Sequence, residues 1–158
     1  MSQIASFTYL KESDVPFLGF WSKPKPRFFR KPENKFTELL RQHTLRESVL
    51  ESVDGVYVAL AFAWLELTDR RFKTEADPVL KTLRRQVGGS HWLMKFNDVR
   101  GVSLLKESLP QSDWPSFLHR IGVDEENYAW PSFEAARHFV FERLSDLKSG
   151  EALLVSVG

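Results

Sequence analysis

Apolar residues fall on both sides of the segment from Gln3 to Leu10. Ile4 and Leu10 flank Ser6 and Thr8 on one side, and Ala5, Phe7 and Tyr9 line the other. Alternation with apolar residues on both faces predicts a central strand that is covered twice. Ser13 and Asp14 are helix-cap types, so a short helical turn is expected to run on to Phe20. Prolines at 24, 26 and 32 then forbid a regular helix and disfavour an inner strand, which predicts an extended loop over Trp21 to Pro32. Helical spacing returns from Glu33 to Leu50 through Phe36, Leu39, Leu40, Val49 and Leu50. A break near His43–Thr44 predicts two short helices there. Val56 to Leu67 is apolar on nearly every side and contains several alanines, the signature of a buried central helix, with Asp54 placed to cap it.

Thr68 to Lys73 reads as a charged loop. Asp77-Pro78 is an N-cap followed by proline at the first helical position, and the helix it opens runs from Val79 to Val87 and stops at Gly88-Gly89. His91 to Phe96 alternates as a second strand. Asn97-Asp98 is expected to cap a helix through Leu109, and Ser112 another through Ile121, closed by Gly122. Asp124-Glu125-Glu126 is an acidic turn. From Ser132 to Lys148, Phe133, Ala136, Val140, Leu144 and Leu147 form an apolar stripe, with Glu134, Arg137, Glu142 and Asp146 opposite and Gly150 as the C-cap. Glu151 to Val157 is a last strand, apolar on both faces. No internal repeat is present. The pattern predicts an α+β protein: one globular domain over residues 1–158, with a small mixed sheet, strands near both termini, and several helices covering it.

The order of these parts resembles the YfbM-like family, small bacterial proteins of unknown function. Three stretches carry the likeness: Met1 to Leu10 followed by Lys-Glu-Ser-Asp-Val; Ser52-Val-Asp-Gly-Val-Tyr-Val-Ala-Leu-Ala-Phe-Ala-Trp-Leu65; and Tyr128-Ala-Trp130 with the long helix and Gly150-Glu-Ala-Leu-Leu-Val155. The resemblance implies a strand, a short helix and a buried central helix in that order. It implies no catalytic residues.

Composition narrows the function classes. The chain has 158 residues, 42% hydrophobic and 27% charged, enough for a full core without staples. It has no cysteine, which removes disulfides, thiolate nucleophiles and Cys-ligated metal sites. No basic region precedes a long apolar run at the N-terminus, and the longest apolar run, Val56 to Leu65, is about half of a membrane span. A cytoplasmic location is therefore expected, with no membrane partner. The net charge of +1 is uneven: residues 1–100 carry seventeen Lys/Arg against twelve Asp/Glu, and residues 101–158 carry five against nine.

Candidate chemistry is sparse. His43, His91, His119 and His138 stand too far apart in sequence for a local metal motif. Gly88-Gly89-Ser90-His91 follows a helix and precedes a strand, the reverse of a phosphate loop, and reads as a helix stop and a turn. No nucleophile elbow or calcium loop is present. These absences give no catalytic residue, metal or cofactor, and incline the reading away from an enzyme. The unusual segment is 21–32, where Lys23, Lys25, Arg27, Arg30 and Lys31 are interleaved with Trp21, Phe28 and Phe29. Three readings of it stand side by side. The aromatics pin the loop to the core while the charges face water. The loop binds a protein through Arg and aromatic anchors. Or it binds nucleic acid through phosphate neutralisation and base stacking.

The expectation that follows is a non-enzymatic protein-binding domain, specifically a bacterial immunity-type protein that neutralises a cognate toxin. Its contact residues are expected to be Trp21, Lys25, Arg27, Phe28, Phe29 and Arg30. Nucleic-acid binding through the same loop ranks second. A small hydrolase or transferase assembled from distant residues ranks third.

Overall fold

A computed structural model describes residues 3–27, 30–33, 35–50, 55–69, 72, 77–100 and 108–158. Its main sheet has four strands, β1 (Ala5–Lys11), β4 (Arg46–Leu50), β5 (Ser90–Lys95) and β6 (Glu151–Val157), in the order β4-β1-β6-β5. A separate two-stranded sheet pairs β2 (Lys25–Arg27) with β3 (Arg30–Glu33). The described helices are α1 (Leu18–Trp21), α2 (Phe36–His43), α3 (Gly55–Thr68), α4 (Pro78–Val87), α5 (Phe96–Val99), α6 (Trp114–Arg120) and α7 (Trp130–Ser145). The fold is α+β, with β1 and β6 at the centre of the sheet, where their two apolar faces require them. All three pairings in this sheet are antiparallel, where a mixed sheet was expected.

The registers divide the sheet into two faces. Ala5, Phe7 and Tyr9 share one face with Val157, Val155 and Leu153, and with Trp92 and Met94. That face packs under α3, α6 and α7 through Val58, Phe62, Leu65, Phe117, Phe133, Val140 and Leu144. Leu10, Leu154, Ala152 and Leu93 lie on the opposite face, covered by Val15, Leu18, Trp21, Phe36, Leu80 and Leu83 from the first turn, α1, α2 and α4. The result is a sheet between two helical layers.

Local sequence accounts for most elements. Asp77 caps α4, its carboxylate accepting from the Val79 and Leu80 amides at 2.8 and 3.4 Å, and Pro78 occupies N1. Gly88 and Gly89, at φ 78° and 72°, turn the chain from α4 into β5. Gly55 opens α3 where its amide donates to the Gln3 carbonyl at 2.7 Å; a Cβ there would lie 2.8 Å from that oxygen. Asp54, expected as its cap, lies outside the described residues, as do Arg70, Arg71 and Lys73 of the loop expected from Thr68 to Lys73.

Four elements differ from expectation. Arg46–Leu50 is a strand, not a second helix. Thr44 ends α2 in an extended conformation, and the Leu45 amide then donates to the Tyr9 carbonyl at 2.9 Å, which starts the pairing with β1. Lys25–Arg27 and Arg30–Glu33 form paired strands where a loop was expected over Trp21 to Pro32; Arg27 pairs with Arg30 and Lys25 with Glu33. Helix α5 ends at Val99, because Arg100 leaves helical geometry at ψ 126°; residues 101–107 of the helix expected to reach Leu109 lie outside the described residues. Helix α7 ends at Ser145, and Gly150 turns the chain into β6 instead of capping the helix.

The ends of these elements are tied together by side chains. Tyr9 donates its hydroxyl to the Arg143 carbonyl at 2.7 Å, in the last turn of α7. Arg46 lies over the Tyr9 ring at 3.9 Å, forms two 2.7 Å contacts with the Glu151 carboxylate, and donates to the Asp146 carbonyl at 2.7 Å. Arg137 was expected on the solvent side of α7 and is instead buried, at 8% exposure. It is held by Glu134 through contacts of 2.8 and 2.9 Å, and its guanidinium lies 4.7 Å from the Phe141 ring centre. A planar cation stacked on an aromatic and doubly bonded to a carboxylate is stable where a lone charge would not be.

Candidate functional site

The chain leaves β1 through a tight 3-10 turn, Glu12–Phe17, and enters α1 directly. Val15, Leu18 and Trp21 recur every third residue and are buried against the sheet. The same spacing turns Phe17 and Phe20 outward, 53% and 68% exposed. Among the described residues they are the only aromatic side chains so exposed. The exposed aliphatic residues Ile4, Leu45, Leu67 and Val87 are scattered along the chain.

The expected contact residue Trp21 is a core residue, only 8% exposed. Its ring stacks on His43 at 4.3 Å between centroids and on Phe17 at 6.3 Å. His43 in turn lies 3.6 Å from the Asp14 carboxylate. Helix α1 is set close against α4, with the Cβ position of Gly19 only 3.5 Å from the Thr82 methyl. Trp21 therefore holds the platform on which Phe17 sits. Sequence reading missed Phe17 and Phe20; the three-residue repeat of Val15, Leu18 and Trp21 was the signal that they face out.

Immediately after this platform comes the β2–β3 hairpin. Lys25 and Arg27 lie on its first strand and Arg30 on its second. Phe28 and Phe29 lie outside the described residues. Between Trp21 and Pro32 there are five Lys/Arg and no Asp or Glu. The structure thus joins an exposed aromatic pair to a basic hairpin through one short stretch of chain.

The other candidates resolve into local contacts. His91 is buried at 4% exposure and faces Ser156 across β5 and β6. Its Nε2 lies 2.7 Å from the Gly88 carbonyl oxygen and its Nδ1 2.9 Å from Ser156 Oγ. A carbonyl only accepts, so Nε2 carries the proton, and burial favours the neutral ring by lowering its pKa. Nδ1 then accepts from the Ser156 hydroxyl. This arrangement pins the end of α4 to the sheet, and among the described residues no carboxylate is bonded to His91. His138 is largely exposed, 3.6 Å from Glu142 on the same helix. It lines an open groove of about 590 Å³ along α7, with Arg137, Phe141 and Arg143. His119 is exposed on α6. Among the described residues no group of three metal-ligating side chains comes together, and no helix is long and apolar enough to cross a membrane.

The chain matches no family profile, no curated protein and no solved structure. The functional reading therefore rests on the surface itself.

Proposed function

We propose that this chain is a protein-binding domain of the bacterial immunity type, acting by occupying a toxin through the exposed aromatics Phe17 and Phe20 and the basic hairpin that follows them in the chain. The observation that carries the reading is the exposure of Phe17 and Phe20 on a platform fixed by a buried tryptophan. Exposed aromatics held rigidly are the residues that dominate protein interfaces, because they bury large area at little entropic cost. Basic residues follow at once in the hairpin, which suits the polar rim of such an interface.

Nucleic acid fits this surface less well. Glu12 and Asp14 lie in the turn that leads into α1, and Glu38 is exposed on α2. Carboxylates beside the aromatics oppose phosphates, whereas a protein partner can meet them with its own cations.

Co-expression of the chain with the products of genes adjacent to its own, followed by affinity purification, tests the reading. A stable complex with one of them, and rescue of a host from that product's toxicity, is the expected result. No complex with any neighbour, and no rescue, would remove the immunity assignment.

A further inference from the structure

We infer that the free chain pairs with a second copy of itself through the stripe Asp14, Phe17, Phe20 and Lys23, the two copies lying antiparallel about a twofold axis. These four residues recur at every third position. The backbone keeps that period. Glu12–Phe17 is a 3-10 turn, in which residues three apart eclipse one another. The Leu18 amide donates to the Val15 carbonyl, and the Lys23 amide to the Phe20 carbonyl at 3.2 Å, both three-residue bonds. The one α-helical turn between them rotates the stripe by only about 60°. Phe17 and Phe20 form its exposed centre. Asp14 is fixed at one end: its carboxylate lies 3.6 Å from His43, His43 stacks on Trp21, and Trp21 on Phe17. The Asp14 side chain still keeps 21% of its surface open. Lys23 is exposed at the other end, one turn beyond Phe20.

The order acid, ring, ring, base is its own complement when reversed. A copy laid antiparallel sets each Phe17 against Phe20 of the other copy. It also sets each Asp14 against Lys23 of the other copy, so both ends join opposite charges. One patch on each subunit then meets itself, the isologous contact of a twofold dimer. A parallel copy would set acid on acid and base on base. A partner of a single sign would be repelled at one end of the stripe. Charge therefore selects a surface with the same two signs at the same spacing, and this chain carries one.

The area sets the strength. At 53% and 68% exposure the two rings offer roughly 240 Å² per copy, taking about 200 Å² for a whole phenylalanine. A stable interface buries about 800 Å² per partner. The pair is accordingly weak and exchangeable, with a Kd on the order of 0.1–1 mM. It is a property of the chain alone and does not depend on the protein-binding reading above. A toxin that docks on the same rings displaces the second copy.

Sedimentation equilibrium of the full chain at low salt, at concentrations reaching about 1 mM, tests the pairing. The expected result is a reversible monomer–dimer equilibrium, lost in the Phe17→Ser, Phe20→Ser double variant. Both side chains are largely exposed, so that variant keeps the fold, which an unchanged urea midpoint verifies. Asp14→Lys and Lys23→Asp, each alone, should pair roughly tenfold more weakly, because each sets like charges at both ends. An equal mixture of those two variants should recover the wild-type affinity, since both ends of the mixed pair again join acid to base. A second measurement leaves Asp14 and its His43 contact untouched. The chain has no cysteine, so Lys23→Cys takes a single nitroxide label. Mixed with isotope-labelled wild type, the nitroxide should broaden the Asp14 amide of the other copy more than its Lys23 amide. A wild-type chain that stays monomeric throughout, a double phenylalanine variant that pairs like the wild type, or a mixture no tighter than either variant alone each overturns the inference. So does broadening that is greater at the Lys23 amide.

Discussion

Replacing Arg46 by methionine should cost the fold more than a surface charge normally does. Arg46 is on the edge strand β4, opposite Tyr9, and about a third of its side chain is exposed. It makes two 2.7 Å contacts to Glu151, a third to the Asp146 carbonyl, and stacks on the Tyr9 ring. Charge-assisted hydrogen bonds contribute about 1.5–3 kcal/mol, and a cation over an aromatic about 0.5–1 kcal/mol. Solvent reaching the guanidinium reduces these values. Arg46→Met should therefore destabilise by about 2–3 kcal/mol. It leaves the largely buried Glu151 carboxylate with the Lys148 amide, 3.0 Å away, as its partner. Urea unfolding of the wild type, Arg46→Met, Glu151→Gln and the double variant isolates the pair, and a coupling energy of about 1–2 kcal/mol is expected. The hydrogen bond from Arg46 is the main cause holding the Glu151 carboxyl below its usual 4.5. The stability it gives is present above pH 4.5 and is lost as pH falls through the folded-state value. Arg46→Met should flatten that acid limb. A coupling below about 0.5 kcal/mol, with an unchanged acid limb, would refute the clamp.

Two further outcomes follow from buried contacts. Gly55→Ala places a methyl 2.8 Å from the Gln3 carbonyl oxygen and 2.9 Å from Val157 Cγ1, and should destabilise by about 1–3 kcal/mol, read from the urea midpoint. His91 is held neutral chiefly by burial, with nearby Arg84 acting in the same direction and the Gly88 carbonyl opposing. Its folded pKa is below the ordinary 6.5, so its share of stability is present above pH 6.5 and declines as pH falls toward the folded value. That slope should vanish in His91→Gln, and a slope that survives the substitution would assign it to another group.

Most of the fold was legible where one local signal dominated. Helix α3 announces itself because it is apolar all round and too short to span a bilayer. Asp77-Pro78 and Gly88-Gly89 mark both ends of α4 by chemistry that has few alternatives. Strand β4 was misread because Arg46-Glu47-Ser48-Val49-Leu50 carries charges that suit either an exposed helix or a sheet edge. Pairing with β1 decides between them, and pairing is not local. Arg137 was misplaced for a similar reason: periodicity sees a charge, while its burial depends on Glu134 and on Trp64 from another helix. The candidate site was half visible. The basic run from Lys23 to Lys31 is plain in the sequence. Which of Phe17, Phe20 and Trp21 faces water rests on the three-residue repeat of Val15, Leu18 and Trp21 alone, a weak signal because it spans a 3-10 turn and a helix of four residues.

The two central strands impose an order of events on synthesis. Strand β1 leaves the ribosome before every other described element, and its inner neighbour β6 follows all of them. Until β6 emerges, the short edge strand β4 is the only described strand that β1 can pair with, and Phe7 and Tyr9 lack the strand that flanks them in the finished sheet. Strand β5 has no described strand partner but β6, so it also waits. Helices can form early, but the layer they pack on is assembled only once β6 has emerged. From the emergence of β1 until β6 follows, the growing chain exposes its most apolar surface. It is then more vulnerable to aggregation while being made than at any time after it has closed.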